Sequence, residues 1–135
     1  YEPVLKILLE RRGIKTDGYD PNFFPNTRLQ THYDLVISTE TFEHFRNPAG
    51  EISRITERVA PGGVLAIMTQ LYPTGEDALR PEKFSNWYYK RDPTHIIFYC
   101  SETFHWLAKK FGYNIVFNNE QDFVVLKKPF DEGSR

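Results

Sequence analysis

The chain has 135 residues, of which 40% are hydrophobic and 26% are charged, with a formal net charge of −1. These values are typical of one ordinary globular domain, and the balanced charge excludes the basic stripe that tracks nucleic-acid phosphates and the polybasic patch that binds membranes. The single Cys100 excludes an internal disulfide and a cysteine-rich zinc module, which favours a reduced, cytoplasmic setting. No apolar stretch has the length of a membrane span. We therefore expect no membrane contact and no extended nucleic-acid surface, while a small RNA end in a pocket and the oligomeric state stay open.

The first segment of the chain predicts a helix and then a short strand. Gly13 stands where a left-handed C-terminal cap would lie, after four apolar residues at helical spacing, Val4, Leu5, Leu8 and Leu9. The run "IKTDGYDP" then predicts a strand that ends at Asp20 and stops at Pro21. Its Asp-Gly pair leaves a hairpin turn open as the alternative. Residues 21–32 are rich in turn-forming types.

The middle of the chain predicts a strand, a helix and a second strand. "YDLVIST", residues 33–39, is a continuous apolar run, the pattern of a strand covered on both faces. Asn47 and Pro48 give an N-cap followed by proline at the first helical position. We expect "PGG" at 61–63 to end this helix, and "VLAIMT" to form the second strand. The buried helical stripe would be Ile52, Ile55 and Val59.

The last third predicts one helix and two strands after a long aromatic segment. Residues 70–92 are irregular, and such a long segment inside a compact domain is usually functional or mobile. We expect Ser101 to cap a helix that Gly112 closes. The core stripe of this helix would be Phe104, Leu107, Ala108 and Phe111. "YNIVF" and "FVVLK" then predict an antiparallel pair.

This alternation of helices and strands predicts an α/β fold with a doubly wound, mostly parallel sheet and an antiparallel C-terminal strand pair. Ligands bind such sheets beyond the carboxyl ends of the strands. Polar residues stand at three of these ends: Asp20, then 38–40, then 69–70. The sequence therefore predicts a binding site at this edge.

"TETFEHF" places two carboxylates and an imidazole just after the first buried strand. If a helix begins near Thr39, the residues Glu40, Glu43 and His44 share one of its faces, which points back to the sheet edge. Acidic residues near a helix N-terminus are also stabilised by its dipole, by about 0.3–1 kcal/mol each. The dipole accounts for the glutamates but leaves His44 unexplained.

The whole pattern resembles a known family. The order of "GYDP", "YDLVISTETFEHFRNP", "APGGVLAIMT" and "DPTHIIFYCSETFHWLAKKFGY" is similar to the class I S-adenosylmethionine-dependent methyltransferases, in particular the branch whose fourth strand ends in E-x-x-E-H. The family is Rossmann-like and carries a Gly-rich loop after its first strand. That loop is absent here, and residues 1–13 are similar to the helix that follows it. We therefore expect residues 1–135 to be a single, truncated methyltransferase domain whose N-terminal strand is missing.

The resemblance implies the cofactor-binding residues. Asp20 matches the acidic residue that accepts hydrogen bonds from both ribose hydroxyls of S-adenosylmethionine, and its alternative is an Asp-Pro turn. Pro21 would flank the adenosine end. Ser38, Thr39 and Glu40 would lie beside the methionine portion, or would simply be polar residues at the end of a strand.

The resemblance also implies a divalent cation (Mg²⁺, Mn²⁺, Fe²⁺ or Zn²⁺), because relatives with E-x-x-E-H bind one. The ligands here would be Glu40, Glu43, His44 and His95 of "RDPTH". Without a metal these residues would form a polar network in which His44 or His95 acts as general base.

The acceptor pocket would include Phe45, Trp87, Tyr88 and Tyr89. The aromatic run from Phe84 to Tyr89 is open to two interpretations, a lid over the acceptor or packing that shields this end of the sheet.

We therefore expect a methyltransferase that transfers the methyl group to the oxygen of a small hydroxyl-bearing molecule. The alternatives are a 2′-O-methyltransferase acting on RNA ends, a degenerate domain that serves as a non-catalytic partner module, and a nicotinamide-binding α/β protein.

Overall fold

The structure is a computed structural model that describes residues 4–20, 23, 27–76 and 80–131. By internal contacts the chain divides into two compact units, Tyr1–Thr31 and His32–Arg135. The helices are α1 (Val4–Arg11), α2 (Pro48–Glu57), α3 (Pro81–Asn86) and α4 (Ser101–Phe111). The strands are β1 (Tyr33–Thr39), β2 (Val59–Met68), β3 (Asn114–Asn118) and β4 (Phe123–Lys127).

The first unit contains α1 but not the predicted strand before Asp20. The helix ends as predicted, with Gly13 in the left-handed region at φ 79°. Residues 14–19 carry neither a strand nor a hairpin, and Asp20 forms only a single bridge. One reason is local, because the Lys6 ammonium donates a 2.7 Å hydrogen bond to the Thr16 carbonyl and so occupies a backbone group that a strand would need. Pro21 lies outside the described residues.

The second unit is an α/β fold with a four-stranded mixed sheet in the order β1-β2-β4-β3. β1 and β2 are parallel, while β4 is antiparallel to both β2 and β3. The α/β fold and the antiparallel C-terminal pair are therefore confirmed. Because the strand predicted before Asp20 does not form, the described sheet has one parallel pairing where the sequence predicted a parallel majority.

The start of β2 differs from the sequence prediction. The helix α2 ends at Glu57, and "PGG" lies inside the strand that follows. Val59 pairs with Tyr33 and Val64 pairs with Leu35, so the extra β2 residues between these pairs bulge out. Gly62 adopts φ 76°, which a residue with a Cβ atom rarely adopts. Val59 is therefore a fully buried strand residue and not part of the helical stripe.

The helix caps agree with the sequence in part. The Asn47 side chain accepts a 3.2 Å hydrogen bond from the Gly50 amide, as an N-cap residue does. At the next long helix the cap position belongs to Cys100, and Ser101 is the first helical residue. The Ser101 side chain instead accepts a hydrogen bond from Asn118 in β3. Gly112 closes this helix in the left-handed region, as predicted.

The core fills the space between the sheet and the helices α2 and α4. Its buried members are Phe42, Ile52, Val59, Leu65, Ile67, Leu71, Tyr99, Phe104, Leu107, Ala108, Tyr113, Val124 and Leu126. Most of these residues belong to the apolar runs and helical stripes read from the sequence. No helix of the described residues is long and apolar enough to cross a membrane.

Candidate active site

The candidate site lies where β1 and β2 end side by side. Their parallel pairing runs to the last residues, with Thr39 opposite Met68. Ser38 and Thr69 are buried at this edge, and Thr39 is exposed. In parallel α/β sheets this carboxyl edge is where ligands bind.

The chain leaves β1 through a tight turn and not through the predicted helix from Thr39. Glu40 adopts a left-handed backbone at φ 46°, while its amide donates to the Met68 carbonyl at 2.9 Å. A left-handed residue interrupts the helical path, so only a single 3-10 turn forms, at Phe42–His44. Glu40, Glu43 and His44 therefore do not share a helix face.

The Glu43 side chain is fully buried at the centre of the site. Thr69 Oγ1 donates a 2.9 Å hydrogen bond to its Oε2 atom. The other oxygen, Oε1, has no hydrogen-bond partner within the described part of the chain. Burying a carboxylate oxygen without a hydrogen-bond donor or a cation beside it costs free energy. A positive charge or a donor next to Oε1 would therefore stabilise the site.

Two imidazoles face this carboxylate, each held by a backbone carbonyl. His44 Nδ1 lies 2.9 Å from the Thr94 carbonyl oxygen, and His95 Nδ1 lies 2.7 Å from the Tyr89 carbonyl oxygen. Because a carbonyl only accepts, both Nδ1 atoms must carry the proton, which leaves both Nε2 atoms with a lone pair when the rings are neutral. The two ring centroids are 4.9 Å apart, and His44 Nε2 lies 3.8 Å from Glu43 Oε1.

Three of the four residues predicted as metal ligands come together. Glu43, His44 and His95 each offer one ligand atom, and these atoms lie within 4.8 Å of one another. The fourth, Glu40, is outside this group but close to Glu43. Partial burial of the carboxyl group of this otherwise exposed residue and the neighbouring Glu43 carboxylate raise the pKa of Glu40 above its ordinary value.

The segment "RDPTH" positions both imidazoles. The Asp92 carboxylate accepts hydrogen bonds from the Thr94 amide at 2.8 Å and from the Thr94 hydroxyl at 2.6 Å, and these bonds lower the pKa of Asp92. They fix the turn whose Thr94 carbonyl accepts from His44, and His95 follows directly. Sequence reasoning assigned no role to Asp92 or Thr94. The Asp-Pro-Thr order, typical of a turn built around an aspartate side chain, was the available signal.

The aromatic residues predicted for the acceptor pocket lie in three different environments. Phe45 packs on Phe42, at a centroid distance of 5.0 Å, and so against the core. Tyr88 is 62% exposed, and its hydroxyl donates to Gln70. Tyr89 is buried, with its hydroxyl among polar side chains.

Trp87 lies in a cluster of aromatic rings and also lines an open groove. Its ring centroid is 5.1 Å from that of Tyr72 and 5.4 Å from that of Phe98. The groove has a volume of about 320 Å³ and is lined by Tyr72, Pro73, Glu82, Lys83, Asn86 and Trp87. Of the two interpretations of the aromatic run, packing therefore describes the rings of Trp87 and Tyr89.

Asp20, the predicted ribose ligand, belongs to the first unit. Its Oδ1 atom accepts a 3.0 Å hydrogen bond from the Phe23 amide, the geometry of an aspartate-initiated turn.

Comparison with known proteins identifies a family. A family model described as a methyltransferase domain matches residues 2–117. A protein assigned as a methyltransferase from Bacillus halodurans C-125 has a similar structure, with a TM-score of 0.61 and 15% identity over 93% of this chain and 78% of that one. An O-methyltransferase family protein from Burkholderia thailandensis has a TM-score of 0.57 and 14% identity, over 94% of this chain and 40% of that one.

At identities this low the two solved structures establish a shared fold. Comparison with curated proteins found no significant match. The family model covers most of the chain and therefore decides the assignment. The chain belongs to the S-adenosylmethionine-dependent methyltransferase family.

Proposed function

We propose that this domain transfers the methyl group of S-adenosylmethionine to a hydroxyl oxygen of a small acceptor, at a site that holds a divalent cation. One observation carries this proposal. The buried Glu43 has an unpartnered carboxylate oxygen that faces two imidazoles whose Nδ1 protons are already committed. Such an arrangement offers a carboxylate and two nitrogen lone pairs to the same small volume.

The cation is proposed to bind Glu43, His44 and His95, with Glu40 as a fourth ligand beside them. The donor set fits a cation, since the Nδ1–H of each imidazole donates a hydrogen bond to a backbone carbonyl, as the second ring N–H of metal-bound histidines usually does. Two nitrogens and a carboxylate suit Mn²⁺, Fe²⁺ or Zn²⁺ better than Mg²⁺, which prefers oxygen. When bound, such a cation lowers the pKa of an acceptor hydroxyl.

The methyl donor is proposed to lie along the carboxyl edge of the sheet. Thr39 and Glu40 are exposed there, and their oxygens suit the ammonium group of the donor, with Ser38 buried beneath them. Asp20 and Pro21 are proposed for the ribose and adenine, on the family resemblance. The end of β1 thus supplies polar groups where the methionine portion would bind.

The proposed reaction is an in-line displacement. The acceptor oxygen forms a bond to the methyl carbon while the carbon–sulfur bond breaks and its electron pair returns to sulfur, which gives S-adenosylhomocysteine. With a cation on both imidazoles the hydroxyl proton passes to solvent, and in a site without a cation His44 or His95 would be the base that accepts it at Nε2. His44 is the more exposed of the two, with 38% of its side chain accessible against 11% for His95.

The acceptor is proposed to be small and cytoplasmic. The net charge of −1 provides no basic stripe for a nucleic-acid chain. The groove beside Trp87 is of the size that a small ring or chain fills. The absence of a second cysteine fits a reduced compartment.

The test is calorimetric titration of S-adenosylhomocysteine and, separately, of Mn²⁺ into the protein. We expect both to bind, and Glu43→Gln to weaken Mn²⁺ binding by about tenfold or more while S-adenosylhomocysteine still binds. Glu51→Gln, at a half-buried position of α2 where the carboxylate pairs with Arg54, is the matched control and should change neither affinity. Absence of S-adenosylhomocysteine binding by the folded protein would overturn the proposed transfer. Unchanged Mn²⁺ binding in Glu43→Gln would overturn the cation site alone.

A further inference from the structure

Tyr89 contacts both the carboxylate Glu40 and the imidazole of His95 in the candidate site. It is only 6% exposed, in the 3-10 turn Tyr88–Arg91 that follows α3. Its hydroxyl lies 3.3 Å from Thr69 Oγ1 and donates a 3.4 Å hydrogen bond to Glu40 Oε2. A tyrosine hydroxyl is protonated at neutral pH, so the Tyr89 hydroxyl acts as a donor to this carboxylate.

The hydroxyl protons of Thr69 and Tyr89 determine which carboxylate oxygens receive a hydrogen bond. Thr69 has one hydroxyl proton, which it gives to Glu43 Oε2. Tyr89 has one as well, which it gives to Glu40 Oε2, and the Glu43 carboxylate is also nearby. The two hydroxyls are thus placed to hold one oxygen of each carboxylate. The remaining oxygen of Glu43 is left facing His44.

The other end of Tyr89 acts on His95. Its backbone carbonyl accepts the Nδ1 proton of this ring at 2.7 Å, which sets the tautomer. Its own ring packs on the imidazole, with the centroids 4.1 Å apart. One residue therefore orients a carboxylate through its hydroxyl and an imidazole through its carbonyl and ring.

We propose that Tyr89 is the positioning residue of this site, and that its hydroxyl holds the Glu40–Glu43 pair in the arrangement that receives the cation. This inference rests on the proposed cation site and adds a residue that sequence reasoning placed in the acceptor pocket. In this proposal the buried Tyr89 hydroxyl affects the affinity for the cation and does not contact the methyl acceptor.

The test compares Mn²⁺ affinity in the wild-type protein and in Tyr89→Phe, which removes only the hydroxyl. We expect the dissociation constant of Mn²⁺ to rise by about tenfold in this variant. The ¹⁵N shifts of the His95 ring should stay those of the Nδ1-protonated tautomer, because the Tyr89 carbonyl remains. Tyr88→Phe controls for a neighbouring hydroxyl that donates to Gln70. Tyr113→Phe controls for a buried hydroxyl elsewhere, which donates to the Thr56 carbonyl.

The outcomes separate the two proposals. If Mn²⁺ binds the wild type and Tyr89→Phe within about twofold of each other, the role of Tyr89 is overturned and the cation site stands. If both control variants weaken Mn²⁺ as much as Tyr89→Phe, the effect is general destabilisation and the role is again overturned. If the wild type fails to bind Mn²⁺, the proposed cation site and the role of Tyr89 both fall. A selective tenfold loss in Tyr89→Phe supports the inference.

Discussion

Glu40 combines two unfavourable features in one residue, a left-handed backbone and a carboxylate beside another carboxylate. For a residue with a Cβ atom the left-handed region costs about 1–2 kcal/mol. Such local strain is often found at functional sites, where the surrounding structure holds the residue in place. We expect that Glu40 is retained for its charge at the expense of stability.

Replacement of Glu40 should therefore stabilise the fold while weakening the site. Both Glu40→Ala and Glu40→Gly remove the carboxylate, but only glycine relieves the backbone, so Glu40→Gly should be the more stable by about 1 kcal/mol. Urea unfolding measures this difference. Both variants should lose Mn²⁺ affinity. The same pair of changes at Glu120, which has φ 58° in the β3–β4 turn, should give the stability difference without the loss of affinity.

Tyr113 is one of three buried tyrosines, with Tyr89 and Tyr99, whose raised pKa makes the stability of the protein depend on pH in the alkaline range. It donates to the Thr56 carbonyl at 2.7 Å, and burial raises its pKa from 10.0 to about 12. Below pH 10 the hydroxyl is protonated in both states and its contribution is fully present. As the pH rises from 10 towards about 12, the unfolded chain loses the proton first, so the free energy of unfolding falls.

Tyr113→Phe should reduce this alkaline dependence, while the contributions of Tyr89 and Tyr99 remain. The variant loses a hydrogen bond at every pH, but it has no proton to release on unfolding. The measurement is the slope of the unfolding free energy against pH between about 10 and about 12. Tyr88→Phe, whose hydroxyl is exposed, should keep the wild-type slope. Equal slopes in wild type and Tyr113→Phe would contradict the expectation.

At the level of single residues the sequence identified the chemistry but not its arrangement. Glu43, His44 and His95 were predicted as ligands from motif order, and the structure places them together. The role of Thr94 was not predictable, because His44 contacts its carbonyl oxygen and every residue type has one. The left-handed backbone of Glu40 could not be predicted either, since glutamate rarely adopts this conformation.

Among the structural elements, the hairpin between β3 and β4 shows how a single side chain can define a turn. Asn119 Oδ1 accepts hydrogen bonds from the amides of Gln121, Asp122 and Phe123, at 2.9–3.0 Å. This one oxygen satisfies three backbone donors that the turn leaves unpaired. The turn fixes the register of β4. This strand pairs with β2, whose carboxyl end lies at the candidate site.

Asn119→Ala should lower the free energy of unfolding by about 1–2 kcal/mol, since it leaves backbone donors without their acceptor. Asn114→Ala, at an exposed position of β3, should cost much less. Chemical denaturation of both variants checks the difference. A loss no larger than that of the Asn114 variant would show that water replaces the side chain without cost.

Elements were predictable wherever pattern and termination signals agreed. The helix α4 combines an apolar stripe with Gly112, and β1 is a continuous apolar run, so both were found. The expected cover on both faces of β1 was wrong, since Leu35 is 47% exposed. The prediction that "PGG" ends helix α2 was wrong, because proline and glycine indicate a bulge inside a strand as readily as a helix end. The strand before Asp20 was wrong because a strand depends on a partner that a single sequence window does not contain.

For the whole molecule, cation binding and folding should be linked. A ligand that binds only the folded state raises the stability of the entire cooperative unit. We expect Mn²⁺ to raise the melting temperature of the protein relative to EDTA. Because imidazole binds metal only in its neutral form, the increase should shrink as the pH is lowered from about 7.5 to about 5.5.

The control for this prediction is Glu43→Gln, in which the increase should be small at both pH values. An increase of the same size in this variant would mean that Mn²⁺ acts at another place. Circular dichroism melting curves measure both proteins under the same conditions.

The backbone oxygen of Glu43 has a consequence for dynamics. It accepts hydrogen bonds from the amides of both Ile96 and Ile97, at 2.9 and 3.2 Å, and so ties the turn after β1 to the segment that carries His95. These two amide protons can exchange with solvent deuterium only when the two segments separate. Their exchange rates therefore report how often these two segments separate. The measurement does not require the methyl acceptor to be identified.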